Sequence, residues 1–370
     1  MIVCLADDLT GLVELAAQCA DRGIRGAAYF DAGRVPPGTT HPVLFVNLAC
    51  RDGKGPAARR RVTDVIGALA AKPISHLYLK VDSVARGPLA WMLRGVVDVT
   101  GTPSVPLLVA NPATGRATRR GRIFVNGTLL HRTAFARDPL HAMTQSSLPD
   151  ILAGQKARLS VALAADAQTS ARVIVLDGAS PGDVRRAAAA WSRSLAAAGA
   201  APFGVELIRR WVKTRGAPFA VPQPPPFDRV LAVVGTQHPA GDALAAEFRA
   251  MGGASVRLGA PPVAAALPLL LQAPRRVTDP REVRRALAAT ACRLVSDLHP
   301  AGLMVIGGET AQTLLAALGI STARPVRSVG CFAELAVQGN DKSLPRRLWF
   351  KPGSYHDPEA SLGALFDRGR

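Results

Sequence analysis

Short strand-forming runs alternate with helix-period segments along most of this chain, and that alternation restricts it to one class of fold. Ahead of residue 218 the runs fall at 2–5, 43–47, 77–81, 107–110 and 173–176, with helical patterns between them. Later, VLAVV (230–234) leads to a helix over 242–251, and SVRLG (255–259) precedes a long helix from about 280 to 298. LMVI (303–306) passes through GGET into TAQTLLAALG, and RRLWF (346–350) reaches KPG, with a last helix near 358. Strands interleaved with helices predict largely parallel sheets covered by helices. The Arg/Ala-rich stretch 183–200 reads as one amphipathic helix. Between the two halves lies PFAVPQPPPFDRV (218–230), whose four prolines after Val221 suit neither a helix nor a central strand. The reading is an α/β protein of two α/β domains: 1–218, a proline-rich linker 219–229, and 230–370. Its 370 residues, 48% hydrophobic, suffice for two ordinary cores.

Charge narrows the functional classes. A net charge of +18 raises the question of nucleic acid. The arginines are mostly scattered pairs, such as Arg119-Arg120, Arg185-Arg186 and Arg284-Arg285, and only Arg59-Arg60-Arg61 forms a triple. None is interleaved with the aromatic residues that single-strand binders stack on bases. The expectation is attraction for small anions with no dedicated nucleic-acid site. Five dispersed cysteines without a CxxC pair read as reduced, mostly buried thiols of a cytoplasmic protein. No zinc spacing exists among the seven histidines, and no segment has the length of a membrane span or a targeting signal.

In open α/β sheets, ligands bind outside the carboxyl ends of the strands. The strand ends here are polar. ADDLTG sets Asp7 and Asp8 between the first strand and a helix that Gly23 can end. Two readings stand level at that point: a helix cap by Asp8 or Thr10, or a ligand site. NLACRDG places Arg51 after another strand, and LYLKVDSVARG gathers Lys80, Asp82, Ser83 and Arg86 within seven residues. ANPATGRATRRG adds Asn111 and Arg116. Each alone reads as easily as a surface ion pair or a turn. Together they suit a polyhydroxy acid, with guanidinium groups gripping a carboxylate and Asp and Asn taking hydroxyls. The second half carries glycine turns instead: GTQHP (235–239), GGET (307–310) and KPGSYHD (351–357). Main-chain N–H groups at such a helix start can face a phosphate. Neither GxxxxGK[ST] nor GxGxxG is present.

The ordered set ADDLTG, KxDSxxRG, NPAxGRxxxxG, DPLHAMTQSSL, GGETA and KPG resembles the four-carbon acid sugar kinases, along nearly the whole chain. The resemblance implies a substrate-binding N-terminal domain, a nucleotide-binding C-terminal domain and an active site in the cleft between them. It implies ATP with Mg2+ as cofactors, a small sugar acid as partner and phosphorylation of a terminal hydroxyl. Asp7, Asp8, Lys80, Asp82, Ser83, Arg86 and Arg116 go to the substrate side by motif, and Arg51 and Asn111 join them by position. Thr236, Gly307, Gly308, Glu309, Thr310 and Gly353 go to the nucleotide side. Asp8, or Asp7, is the expected base or hydroxyl-orienting group; no protein ligand for the metal is assigned. No membrane partner is expected, and a homo-oligomer is compatible with the motifs. Glu14 stands where the family usually has aspartate, Val84 and Pro88 depart from its DSTLRGN, and GTQHP replaces a serine-rich loop. Ser354-Tyr355-His356 removes two glycines from the last turn. Those losses define the alternative, a sugar-acid-binding protein with a degraded nucleotide site.

Overall fold

The structure is a computed structural model and describes residues 1–370 apart from 37–38, 70–72, 139, 166–169, 213–222, 261–265, 276–278, 340, 354–361 and 367–370. Part of the expected linker, the Ser354–His356 turn and the expected helix start near 358 therefore lie outside the described residues. The chain divides into two compact units, Met1–Leu15 with Ile24–Arg215, and Ala16–Gly23 with Gly216–Arg370.

The N-terminal strands are β1 (Ile2–Ala6), β2 (Ala27–Tyr29), β3 (Val43–Asn47), β4 (His76–Lys80), β5 (Val105–Leu108), β6 (Arg116–Arg119), β7 (Arg122–Val125), β8 (Thr128–Leu129), β9 (Val161–Leu163), β10 (Val173–Val175) and β11 (Ala196–Gly199). The helices are α1 (Leu9–Ala20), α2 (Gly55–Ala68), α3 (Leu89–Thr100), α4 (Leu148–Gly154), α5 (Pro181–Ala190) and α6 (Ala201–Trp211). Strands pair in parallel in the order β2-β3-β1-β4-β11-β5-β10-β9. Every residue of β1 and β3 is buried, which is why these runs are continuously apolar rather than alternating. Val3, Leu5, Leu44, Val46 and Leu79 pack with Val62 of α2 and Met92, Leu93 and Val96 of α3. β6, β7 and β8 form a separate antiparallel sheet that the sequence reading treats only as a turn region.

The register decides where the polar ends meet. Ala6 pairs with Asn47 on one side and Lys80 on the other. The segments following β1, β3 and β4 therefore leave the sheet side by side.

The expected single helix over 183–200 is corrected. α5 stops at Ala190 and residues 196–199 form β11, between β4 and β5. Alanine favours helix, but propensity yields to tertiary packing. β11 crosses where Tyr78 lies, and Tyr78 Oη donates to the Ala200 carbonyl at 2.6 Å. A Cβ at Gly199 (φ +155°) would stand 2.1 Å from the Leu108 carbonyl oxygen, so glycine is what lets β11 approach β5 at its end.

The C-terminal strands are β12 (Val230–Val234), β13 (Ala254–Arg257), β14 (Leu269–Gln272), β15 (Gly302–Ile306), β16 (Thr322–Val329), β17 (Phe332–Val337) and β18 (Arg347–Lys351). The helices are α7 (Pro239–Ala250), α8 (Pro280–Leu298), α9 (Gly308–Ala317) and α10 (Gly363–Phe366). In the order β13-β14-β12-β15-β18-β17-β16, the first five strands are parallel and the last two antiparallel. The hairpin β16–β17 escapes the sequence reading because arginines and Pro325 interrupt its apolar run. Fully buried Glu334 of β17 takes up one of them, Arg327, at 2.7 Å, and Arg347 of β18 at 2.9 Å. Here too register aligns the ends: Val234 pairs with Ile306, and Ile306 with Lys351.

Candidate active site

The segment after β1 answers both readings of its paired carboxylates. Asp8 Oδ1 accepts from Gly11 N at 2.8 Å and so caps α1. Its other oxygen, Oδ2, accepts from Arg51 Nη1 at 2.6 Å. Asp7 is wholly buried and takes Arg51 bidentately, Nε at 2.8 Å and Nη2 at 2.9 Å. The Asp7 carbonyl also accepts from Cys50 N and Arg51 N, tying the two strand ends together. Burial pushes the Asp7 carboxyl up, as does neighbouring Asp8, against the pull of Arg51 and Lys80. For Arg51, burial would lower the guanidinium, but Asp7 and Asp8 raise it well above its ordinary value. It is a fixed cation.

Lys80, at the end of β4, is 4% exposed. Its ammonium donates to the Val81 carbonyl at 3.0 Å and lies 3.8 Å from Glu14 of α1. A Cβ at Gly11 would stand 2.7 Å from Lys80 Nζ and 2.9 Å from Asp8 Oδ1, so glycine in ADDLTG makes room for the approach of ammonium and carboxylate. Glu14 Oε1 accepts from Asn111 Nδ2 at 3.4 Å. Although a third of its side chain reaches solvent, burial pushes the Glu14 carboxyl up, opposed by Lys80.

Two residues beyond Lys80, Asp82 accepts from Arg86 Nε at 2.9 Å and Nη2 at 3.0 Å. Burial alone would raise Asp82; Arg86 and Arg51 outweigh it and hold the carboxyl well below its usual range. Arg86 also reaches Asp138 at 3.3 Å, and its guanidinium carbon lies 5.5 Å from the centre of the Phe135 ring. Arg116 lies 5.9 Å from the same centre, so one aromatic residue gathers two guanidinium groups. Ser83 is half-buried in the intervening turn. Asp7, Asp8, Arg51, Lys80, Asp82 and Arg86 thus form one cluster with Glu14 and Asn111, while Arg116 joins through Phe135.

Sequence reasoning gave no role to Asp138, His141, Asp52 or Phe135. His141 Nε2 and Asp52 Oδ1 are 2.6 Å apart, next to the cluster. The signal for Asp138 and His141 was DPLHAMTQSSL, a motif without an evident chemistry; Phe135 and Asp52 had none. A cavity of about 570 Å3 borders the cluster at Arg51 and is lined by Gly87, Trp91, His141, Met143 and Gln155. Asp8, Lys80 and Asp82 are not in its wall, so the charged chemistry lies beside this cavity rather than inside it.

In the C-terminal unit, the ends of β12, β15 and β18 bring Thr236, Gly307–Thr310 and Gly353 together. Gly307 (φ +105°) donates its N–H to the Lys351 carbonyl at 3.0 Å, and Gly235 donates to Ile306 at 3.1 Å. A Cβ at Gly353 would meet Thr236 Oγ1 at 3.0 Å and the Gly307 Cα at 3.6 Å. Gly308, Glu309 and Thr310 open α9, where first-turn N–H groups have no intrahelical acceptor. The Glu309 side chain points elsewhere, to Arg284 of α8 at 3.1 Å. His238, in GTQHP, caps α7 by accepting from Ala240 N at 3.2 Å.

Among the described residues no group of three or more His, Cys, Asp or Glu side chains is arranged to hold a metal ion, and no helix is long and apolar enough to cross a membrane. No disulfide links the cysteines; Cys4, Cys19 and Cys50 are buried, and burial pushes the Cys50 thiol up to about 12.

Paired carboxylates, a buried ammonium and bidentate guanidinium groups at the ends of parallel strands define an α/β protein with a charged cluster at the carboxyl edge of its sheet. Residues 2–207, more than half of the chain, match the sugar-binding N-terminal domain family, and the chain belongs to that family. It is 28% identical over 355 residues to a D-threonate kinase of Bordetella bronchiseptica, covering 86% of this chain and 85% of the relative. A D-erythronate kinase of Heliobacterium modesticaldum is 27% identical over 202 residues, 50% of this chain and 46% of the relative. Among solved structures, a Haemophilus influenzae protein superposes with a TM-score of 0.75 at 15% identity, covering 99% of this chain and all of that one, a likeness of fold.

Proposed function

We propose that this chain transfers a phosphoryl group from ATP to the terminal hydroxyl of a four-carbon sugar acid. The observation that carries the reading is the convergence of Asp8, Lys80, Asp82 and Arg86 on the adjacent ends of β1 and β4, with Arg51 from β3. The relatives that act on D-threonate and D-erythronate support it.

Asp8 is the more exposed of the two adjacent carboxylates, 21% against 0% for Asp7. It accepts the proton of the attacking hydroxyl or orients it, since phosphoryl transfer needs mainly positioning and charge stabilisation. Lys80 and Arg116 neutralise the substrate carboxylate, Arg86, held by Asp82, faces the transferring charge, and Asn111 and Ser83 take hydroxyls. The start of α9, with Thr236 and Gly353 beside it, fits a nucleotide phosphate: its donors are main-chain N–H groups, and at Gly353 a Cβ would press on Thr236. ATP would supply the phosphoryl group there. The described residues offer no group of three carboxylate, histidine or cysteine side chains for Mg2+.

The test is ATP consumption with Mg2+ over a panel of D-threonate, D-erythronate and 3-oxo-tetronate. Turnover on one member is expected. Asp8→Asn should lower kcat by about 10²- to 10⁴-fold with an unchanged circular dichroism spectrum. A folded protein inactive on the whole panel overturns the reading. The alternative, a sugar-acid binder without nucleotide, rests on residues 354–356, outside the described structure; calorimetry with ATP decides it.

A further inference from the structure

Arg51 was expected among the substrate ligands, yet its side chain is already committed. Nε and Nη2 fork onto Asp7, and Nη1 holds Asp8 Oδ2. Such a fork is the strongest and most directional arrangement a guanidinium makes. The main chain is held as firmly. Arg51 N donates to the Asp7 carbonyl at 3.1 Å. On its other side Gly87, at φ +83°, comes so close that a Cβ there would stand 2.9 Å from the Arg51 carbonyl oxygen. Asp8 is consequently held at both oxygens, by the start of α1 through Gly11 N and by Arg51, which is itself anchored on a carboxylate without solvent contact.

We infer that Arg51 is a positioning residue for phosphoryl transfer: it ties Asp8 to buried Asp7 and does not bind the substrate carboxylate. Recognition of that carboxylate falls to Lys80 and Arg116, since Arg86 is itself forked onto Asp82. The inference rests on the kinase reading above and assigns Asp7 the part of anchor and Asp8 that of the group facing the hydroxyl. A lysine in place of Arg51 keeps the charge but cannot span both carboxylates.

The test compares wild type, Arg51→Gln, Arg51→Lys and Asp7→Asn on the preferred sugar acid and on its uncharged amide. For a positioning residue, kcat falls by about 100-fold or more in Arg51→Gln, because misplacing a reacting group by an ångström costs that much. KM for the acid stays within about threefold, and the preference for acid over amide in kcat/KM is retained. Arg51→Lys recovers little of the loss. Asp7→Asn, which leaves Arg51 in place and weakens only its anchor, shows the same kcat-selective defect. Where the glutamine variant fails to fold, the lysine and asparagine variants carry the same split. A KM rise of about tenfold with kcat kept, a collapse of the acid-over-amide preference, or full kcat in Arg51→Lys overturns the inference. Absence of wild-type turnover on every sugar acid strikes the kinase reading itself, and this role with it.

Discussion

At the ends of β1, β3 and β4 the available chemistry is charged side chains, each held by a partner of opposite sign. At the ends of β12, β15 and β18 it is main-chain N–H groups between glycines, with two hydroxyls beside them. Both sets occupy the carboxyl ends of adjacent parallel strands, so topology alone does not separate them. The difference lies in what each set can tolerate. The first depends on side-chain geometry maintained by ion pairs, and is sensitive to charge and pH. The second depends on backbone proximity, and is sensitive to the addition of one methyl group.

The largest expected effect breaks the second set. A Cβ at Gly235 would stand 1.8 Å from Oγ1 of Thr310, which is itself buried. Gly235→Ala should cost about 1–3 kcal/mol by overpacking and weaken ATP binding, while leaving sugar-acid affinity unchanged. Adding Thr310→Ala removes the clashing hydroxyl, so stability should partly return in the double variant. Calorimetry and thermal melts read both. Equal loss of ATP and sugar-acid affinity would erase the distinction between the two sets.

A smaller, pH-dependent effect sharpens the first set. Burial raises Glu14 in the folded state, so ionised Glu14 opposes folding once pH exceeds its folded value. Glu14→Gln imitates the protonated form. Its melting temperature should exceed that of wild type at pH 8, and the gap should close below pH 4.5, the ordinary glutamate value, where both states of wild type are protonated. Asp82 runs the other way. Arg86 and Arg51 overcome its burial, so its contribution is fully present above 3.8 and is lost as pH falls through the folded value. A gap for Glu14→Gln that widened in acid would contradict this assignment.

The smallest effect is expected at Arg284. Its pair with Glu309 is surface-exposed, with the glutamate side chain 59% accessible. Arg284→Ala should cost less than about 0.5 kcal/mol and leave ATP affinity within about twofold. A larger loss of affinity would mean that side-chain charge, and not main-chain N–H alone, governs the α9 turn.

Much of the candidate site was legible because strand ends are readable from local pattern. Asp7, Asp8, Arg51, Lys80, Asp82 and Arg86 each follow a run whose apolar continuity marks a buried parallel strand. Their partners were not legible. Arg51 lies 44 positions from Asp7, and nothing local states that β3 flanks β1. Phe135, in a short helical turn, had no motif to mark it, though it gathers Arg86 and Arg116. Glu14 stood out only as a departure from a motif; its contacts with Lys80 and Asn111 needed the fold.

The strand-and-helix alternation, the residue types at the strand ends and the glycines of the second half follow from the order of amino acids, because periodicity and turn chemistry act over a few residues. The strand order and everything that depends on it required the assembled sheets. Ala196–Gly199 became a strand because β4 and β5 pair with it on both sides, against a local preference for helix. Arg327 and Arg347 entered the sheet because buried Glu334 receives them. Asp8 became the carboxylate that faces outward because Arg51 arrived from the neighbouring strand and claimed Asp7. Each of these outcomes turns on contacts between residues far apart in the chain, where free energy depends on which neighbour a side chain meets.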